Sequence, residues 1–180
     1  DNDYFFIIDE INRGNLSKIF GELFMLIEKD KRGSELQLLY SDEKFAVPKN
    51  VYIIGMMNTA DRSLAMLDYA LRRRFAFFDI KPGFDTEGFI EYKKSINNEK
   101  FDKLINCVQN LNNSILADES LGEGFCIGHS YFCNLKQEDV NEQWLYGIVE
   151  YELIPLLKEY WFDESGKVHD WSERLRSAIR

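Results

Sequence analysis

The sequence predicts an α/β fold, a parallel sheet packed under helices, followed by a small all-helical domain. Two apolar runs, Tyr4–Ile8 and Val51–Met57, have the length and composition of strands buried on both faces. A segment with helical apolar spacing lies between them. After Lys81–Gly83 the pattern becomes helical with polar breaks. We therefore expect two domains, residues 1–81 and residues 82–180.

Composition narrows the class of protein. The chain has 180 residues, of which 45% are hydrophobic and 14% aromatic, which is typical of a globular protein. A net charge of −9 argues against nonspecific nucleic-acid binding by these residues. The three cysteines, an odd number, fit reduced thiols in a cytoplasmic protein. No apolar run approaches the length of a membrane span, so we expect no membrane partner.

The first domain is predicted to run strand, helix, hairpin, strand, helix, strand. Asn15 is a predicted N-cap for an amphipathic helix that continues to about Lys31. A β-hairpin is predicted over 35–47, where two apolar runs flank a polar turn. A helix over 64–73 and a third strand over Phe75–Ile80 complete the domain.

The second domain is predicted to be helical. We expect a loop or short strand over 121–132, and we expect Pro155 to bend the third helix. The helices are predicted at about 85–95, 99–117, 139–161 and 168–179.

Polar side chains come directly after the first two predicted strands. Asp9 and Glu10 follow the first strand, and Asn58 follows the second. Because the carboxyl ends of parallel strands meet at one edge of a sheet, these residues could surround one phosphate. Carboxylates there can hold a hydrated metal and polarise a water, and an amide can bind a γ-phosphate. The alternative is that the carboxylates only end the strand and cap the next segment of the chain.

An arginine cluster, Arg72, Arg73 and Arg74, closes the helix predicted over 64–73. Guanidinium groups could act on a neighbouring subunit's nucleotide as an arginine finger. They could equally be cations at a solvated helix C-terminus, where the helix dipole favours them.

Together these residues point to a family. Ile8–Glu10 resembles a Walker B motif, and Asn58 resembles sensor 1 of AAA+ ATPases. The strings DEINRGN at Asp9–Asn15, MNTADRS at Met57–Ser63 and ALRRRF at Ala70–Phe75 resemble McrB-type GTPases of the modified-cytosine-specific McrBC restriction systems. The resemblance covers essentially the whole chain.

The resemblance implies a partial AAA+ P-loop core followed by a helical lid domain. It implies a hexameric ring that hydrolyses GTP, or ATP, with Mg²⁺. It further implies an McrC-like endonuclease subunit as partner and methylated DNA bound through a separate N-terminal domain.

The resemblance also implies roles for single residues. Asp9 would support Mg²⁺ through water, Glu10 would activate the attacking water, and Asn58 would sense the γ-phosphate. One of Arg72, Arg73 or Arg74 would act in trans, with Arg73 preferred. Further nucleotide-side or interface residues would be Asp61, Arg62, Asp68 and, in the lid, His129.

One departure from the family pattern is large. No Gly-x-x-x-x-Gly-Lys-Ser/Thr string, which cradles phosphates in P-loop proteins, occurs in the sequence. We expect that motif upstream of Asp1 in a longer protein, and we expect these 180 residues to be inactive by themselves. The alternatives are a MoxR-type ATPase that remodels proteins and a degenerate ring subunit that serves as a scaffold.

Cys126, His129 and Cys133 are possible zinc ligands by their spacing. A structural zinc site usually has four ligands, and only three lie close together here. The competing interpretation is that the thiols act as small hydrophobes in the helical domain.

Overall fold

A computed structural model of the chain describes residues 2–58, 60 and 72–180. The chain divides into two compact units, Asp1–Asp79 and Ile80–Arg180. Most of the helix predicted over 64–73, together with Asp61, Arg62 and Asp68, lies outside the described residues.

The first unit is built on a parallel strand pair. Its described strands are β1 (Tyr4–Ile8), β2 (Leu36–Gln37), β3 (Lys44–Phe45) and β4 (Val51–Gly55). β1 pairs in parallel with β4, from Tyr4 opposite Val51 to Ile8 opposite Gly55. β2 and β3 are antiparallel, which confirms the predicted hairpin.

The prediction that the first strand is buried on both faces is wrong for this chain. The side chains of Phe5, Phe6 and Ile7 are 63%, 55% and 59% exposed. Among the described residues β4 is the hydrogen-bonded neighbour of β1, and a two-stranded sheet does not cover both of its own faces. The third strand predicted over Phe75–Ile80 is also wrong, because residues 76–80 have no regular structure and no ladder partner among the described residues.

The helix after β1 begins as predicted but ends early. The Asn15 side chain accepts a hydrogen bond from the Lys18 backbone N–H at 3.0 Å and caps helix α1 (Leu16–Phe20). Gly21, at φ 50°, ends the α-helix, and a 3₁₀ segment continues over Gly21–Ile27. Ile11, Leu16, Phe24 and Ile27 form a small buried cluster in this unit, and Leu26 is buried as well.

The second unit is helical, as predicted. Its helices are α2 (Glu87–Ile96), α3 (Glu99–Leu116), α4 (Glu142–Gly147), α5 (Ile154–Tyr160) and α6 (Ser165–Ala178). A π-helical segment, Ile148–Leu153, joins α4 to α5. Pro155 comes shortly after it, and its missing N–H and bulky ring disturb the preceding helical turn, so the irregularity lies where Pro155 predicts one.

Helix α3 forms the centre of the helical core. The Asn98 side chain caps it by accepting from the Phe101 N–H at 3.1 Å. Phe101, Leu104 and Val108 are each 0% exposed, and their spacing of three and four residues puts them on one face. The apolar side chains on that face are part of the unit's buried hydrophobic cluster.

Among the described residues, none of the helices combines the length and the apolar character needed to cross a membrane.

Candidate functional site

The ends of β1 and β4 bring the predicted site residues to one edge of the first unit. The backbone pairing continues past the strands, because the Met56 N–H donates to the Ile8 carbonyl at 2.9 Å and the Ile11 N–H donates to the Met56 carbonyl at 2.9 Å. Asp9 and Glu10 therefore bulge out between two paired positions. Asn58 comes two residues after Met56 at the same edge.

Glu10 has an unusual backbone conformation. Its φ is 49°, in the left-handed region that side chains other than glycine seldom adopt. The Asp9 Oδ1 accepts from the Glu10 N–H at 2.9 Å, and the Arg13 N–H donates to the Glu10 carbonyl at 2.8 Å. These bonds hold a tight turn, and strained turns of this kind cluster at functional sites.

Gly55 permits this turn to lie close to β4. A Cβ at Gly55 would come within 2.5 Å of the Ile11 Cδ1. Ile11 is 6% exposed and belongs to the unit's core, so it anchors the segment that carries the two carboxylates.

Arg13 pairs with Glu10, a contact that sequence reasoning missed. Its Nε lies 2.7 Å from the Glu10 Oε2, and the two side chains are 56% and 53% exposed. The signal in the sequence was the opposite charge three residues after Glu10, a spacing at which side chains meet in a helical turn.

Asp9, the residue predicted to support a metal, uses one of its two carboxylate oxygens within the turn. Its Oδ1 is occupied by the Glu10 N–H, and among the described residues its Oδ2 makes no hydrogen bond. An exposed carboxylate oxygen suits Mg²⁺, which keeps several waters when it binds to proteins. A single carboxylate is suited to holding Mg²⁺ through bound water, because direct coordination by the protein alone needs several ligands.

Asn58 is exposed and partly engaged. Its Oδ1 accepts from the Ala60 N–H at 3.0 Å, an Asx-type turn. The side chain is thereby oriented, and its Nδ2 is the group it would offer to a phosphate oxygen.

The three arginines differ in environment. Arg74 pairs with Glu28 and lies 4.3 Å from the centre of the Phe24 ring, so it is anchored within its own unit. Arg72 lies 5.8 Å from the Phe77 ring centre. Arg72 and Arg73 are both exposed.

His129 belongs to the helical unit and has a structural contact there. Its Nδ1 accepts from the Gly83 N–H at 2.9 Å, and its ring meets Phe89 edge-on at 5.8 Å. The neutral imidazole therefore carries its proton on Nε2. Asp9, Glu10 and Asn58 lie in the other unit.

The cysteines of the helical unit make weak contacts with backbone carbonyls. The Cys133 Sγ lies 3.3 Å from the His129 carbonyl oxygen, and the Cys126 Sγ lies 3.9 Å from that of Asn112. Burial raises the pKa of both thiols, which disfavours the thiolate that zinc requires. Within the described part of the chain, no group of three His, Cys, Asp or Glu side chains could hold a metal ion.

Two protein families match the chain. Residues 2–75 match the AAA domain of the dynein-related subfamily. Residues 103–169 match the α-helical lid domain of McrB.

Two curated proteins are similar to the chain. One is the "Type IV methyl-directed restriction enzyme EcoKMcrB subunit" of Escherichia coli (strain K12), 50% identical over 185 residues, which are 97% of this chain and 40% of the relative. The other is the "Type II restriction enzyme BsuMI component YdiS" of Bacillus subtilis (strain 168), 33% identical over 89 residues, 42% of this chain and 26% of that protein. The chain thus spans less than half the length of either relative.

The AAA match covers the strand pair and its polar edge, and the lid match covers most of the helical unit. With half of all positions identical to an McrB subunit along nearly the whole chain, the chain belongs to the McrB family, as an AAA domain joined to an McrB-type helical lid.

Proposed function

We propose that this chain is part of a GTP-hydrolysing motor subunit of an McrBC-like, methylcytosine-specific restriction endonuclease. The observation that carries the proposal is the polar edge of an AAA domain, where Asp9, Glu10 and Asn58 lie just beyond two paired parallel strands. A carboxylate pair beside an amide supplies what phosphoryl transfer needs, a metal ligand, a group that orients water and a phosphate sensor.

Each residue has a distinct part in this proposal. Mg²⁺, when bound, neutralises charge on the phosphates, and Asp9 would hold it through water with its unoccupied Oδ2. Glu10 orients and activates the attacking water. Asn58 donates to the γ-phosphate from Nδ2, because its Oδ1 already accepts from Ala60.

An arginine acts on the nucleotide of a neighbouring subunit. Arg73 suits this role because it is exposed, whereas Arg74 is held by Glu28 and Phe24. Its permanent charge and planar fork match the phosphoryl group in the transition state. Asp61 and Arg62 remain proposed as neighbours of the nucleotide or the subunit interface, and His129 as a residue on the nucleotide side of the lid.

The assembly and its target are proposed on the similarity to the E. coli protein, whose name calls it a subunit of a methyl-directed restriction enzyme. We propose a homohexameric cytoplasmic ring, an McrC-like endonuclease subunit that stimulates hydrolysis, and methylated DNA bound through a separate domain. The 180 residues contain no P-loop string, so we propose that they do not hydrolyse nucleotide by themselves.

The test is nucleotide turnover by the full-length protein that contains this chain. GTP hydrolysis should persist in excess ATP, and Asn58→Ala should lower kcat about 100-fold, the usual cost of losing one transition-state donor. Asn113→Ala, on the exposed face of α3, is the matched control and should leave turnover unchanged.

Each other outcome identifies another function. Preferential ATP hydrolysis with no effect of an endonuclease subunit would indicate a MoxR-type remodelling ATPase. Turnover of neither nucleotide by the full-length protein would indicate a scaffold subunit. GTP turnover by the 180-residue chain would disprove its proposed inactivity.

A further inference from the structure

The turn that carries Glu10 closes on itself through Arg13. Arg13 makes two contacts with the same residue: its backbone N–H donates to the Glu10 carbonyl at 2.8 Å, and its side-chain Nε lies 2.7 Å from Oε2. The first contact fixes the backbone at φ 49°, and the second fixes the carboxylate. Glu10 is therefore restrained at both ends by one residue.

The two carboxylate oxygens of Glu10 are left in different states. Oε2 is occupied by the guanidinium. Among the described residues, Oε1 has no hydrogen-bond partner. A carboxylate that orients a water needs one accessible oxygen in a defined direction, since a freely rotating side chain would seldom present it correctly.

We propose that Arg13 is a positioning residue for Glu10, holding Oε2 so that Oε1 accepts from the attacking water. This inference rests on the proposed function, in which Glu10 orients that water.

The exposure of the pair separates this role from a merely stabilising one. Both side chains are more than half exposed, and exposed ion pairs add little to folding stability. The loss of Arg13 should therefore appear in the chemical step and not in thermal unfolding.

The experiment compares Arg13→Gln, Arg13→Lys and Glu10→Gln in the full-length protein. Arg13→Gln should lower kcat for GTP about 10-fold or more, with the Kd for GTP and the Tm unchanged, because orientation is lost while binding is kept. Arg13→Lys should recover part of the loss, since an ammonium can still pair with Oε2. Lys18→Gln removes an exposed cation from α1 nearby and should have no effect.

A double variant separates this inference from the proposed function. If Arg13 acts through Glu10, Arg13→Gln should add no further loss in a Glu10→Gln background. A weakened Kd for GTP would show that Arg13 binds the nucleotide directly and would overturn the inference, as would unchanged kcat in Arg13→Gln. If Glu10→Gln itself keeps full turnover, the proposed role of Glu10 fails, and the inference fails with it.

Discussion

The two units of the chain differ in how their apolar side chains are packed. Among the described residues, the helical unit packs twenty-one buried apolar side chains into one cluster, and the α/β unit packs four. In the helical unit Phe101, Leu104 and Val108 of α3 are 0% exposed, whereas in the α/β unit Phe5, Phe6 and Ile7 of β1 are each more than half exposed. The first arrangement is a continuous apolar core, and the second holds a polar turn at a strand edge.

The large buried core lies in the helical unit, whereas the residues of the proposed chemistry lie in the α/β unit. The strained Glu10 and the exposed Asn58 both belong to the α/β unit. Binding residues are commonly carried on loops that a scaffold positions, and such segments open more easily than a core. Substitutions should therefore divide into those that unfold the helical unit and those that change the edge of the α/β unit without unfolding anything.

The largest effect on stability is expected from a truncation in α3. Leu104→Ala should lower the free energy of unfolding by about 2–5 kcal/mol, because Leu104 is 0% exposed and a cavity would remain. Leu39→Ala makes the same chemical change at a residue that is 77% exposed and should cost less than about 0.5 kcal/mol. Chemical denaturation followed by circular dichroism measures both. Equal losses would contradict the contrast between the units.

An intermediate effect is expected at Asp118, the polar centre of the helical unit. Its Oδ2 accepts from the Trp161 Nε1 at 2.8 Å and pairs with Lys167, and its Oδ1 accepts from the Ser120 hydroxyl at 2.6 Å. The side chain is 8% exposed. Asp118→Asn should cost about 1–3 kcal/mol at neutral pH, since bonds to a charged group are lost.

The pH dependence of that cost is a separate check. Hydrogen bonds from Lys167, Ser120 and Trp161 hold the folded-state pKa of Asp118 well below its ordinary value of 3.8. A depressed pKa adds stability that is fully present above the unfolded-state pKa and is lost as the pH falls through the folded-state pKa. The difference between wild type and Asp118→Asn should therefore shrink below about pH 4. A difference that is constant from pH 7 to pH 3 would contradict this account.

The smallest effects are expected at two glycines of the helical unit, and they should have opposite signs. A Cβ at Gly83 would lie 3.1 Å from the His129 Cε1, so Gly83→Ala should destabilise by up to about 1 kcal/mol. Gly88 lies in α2, and among the described residues no atom beyond its chain neighbours and its own helix backbone lies within 4 Å of its Cβ position, so Gly88→Ala should stabilise by up to about 1 kcal/mol. Thermal unfolding measures both. Destabilisation by Gly88→Ala would show that α2 is packed more closely than the structure describes.

Local patterns in the sequence predicted the elements that depend on neighbours in the chain. The Asn15 cap, the hairpin and the range of α3 are all of this kind. The bend expected at Pro155 stays a prediction, and the π-helical segment that precedes Pro155 was not predicted, because it depends on how the turns repack.

The features that sequence reasoning missed depend on tertiary neighbours. Among the described residues β4 is the strand that pairs with β1 and the faces of β1 stay exposed, which an apolar run does not reveal. The Phe75–Ile80 run has strand composition but lacks a ladder partner among the described residues. At the candidate site, the strand-edge rule placed Asp9 and Asn58, whereas the positive φ of Glu10 and its pairing with Arg13 required coordinates.

The most direct test of the account is Glu10→Gln in the full-length protein, measured as GTP turnover together with GTP binding. Glu43→Gln, at an exposed glutamate beside β3, is the matched control. The account predicts that Glu10→Gln lowers kcat at least about 100-fold while the Kd for GTP stays within about 3-fold, because only the chemical step uses this carboxylate. Full turnover in Glu10→Gln would contradict the claim that the edge beyond β1 and β4 performs the chemistry.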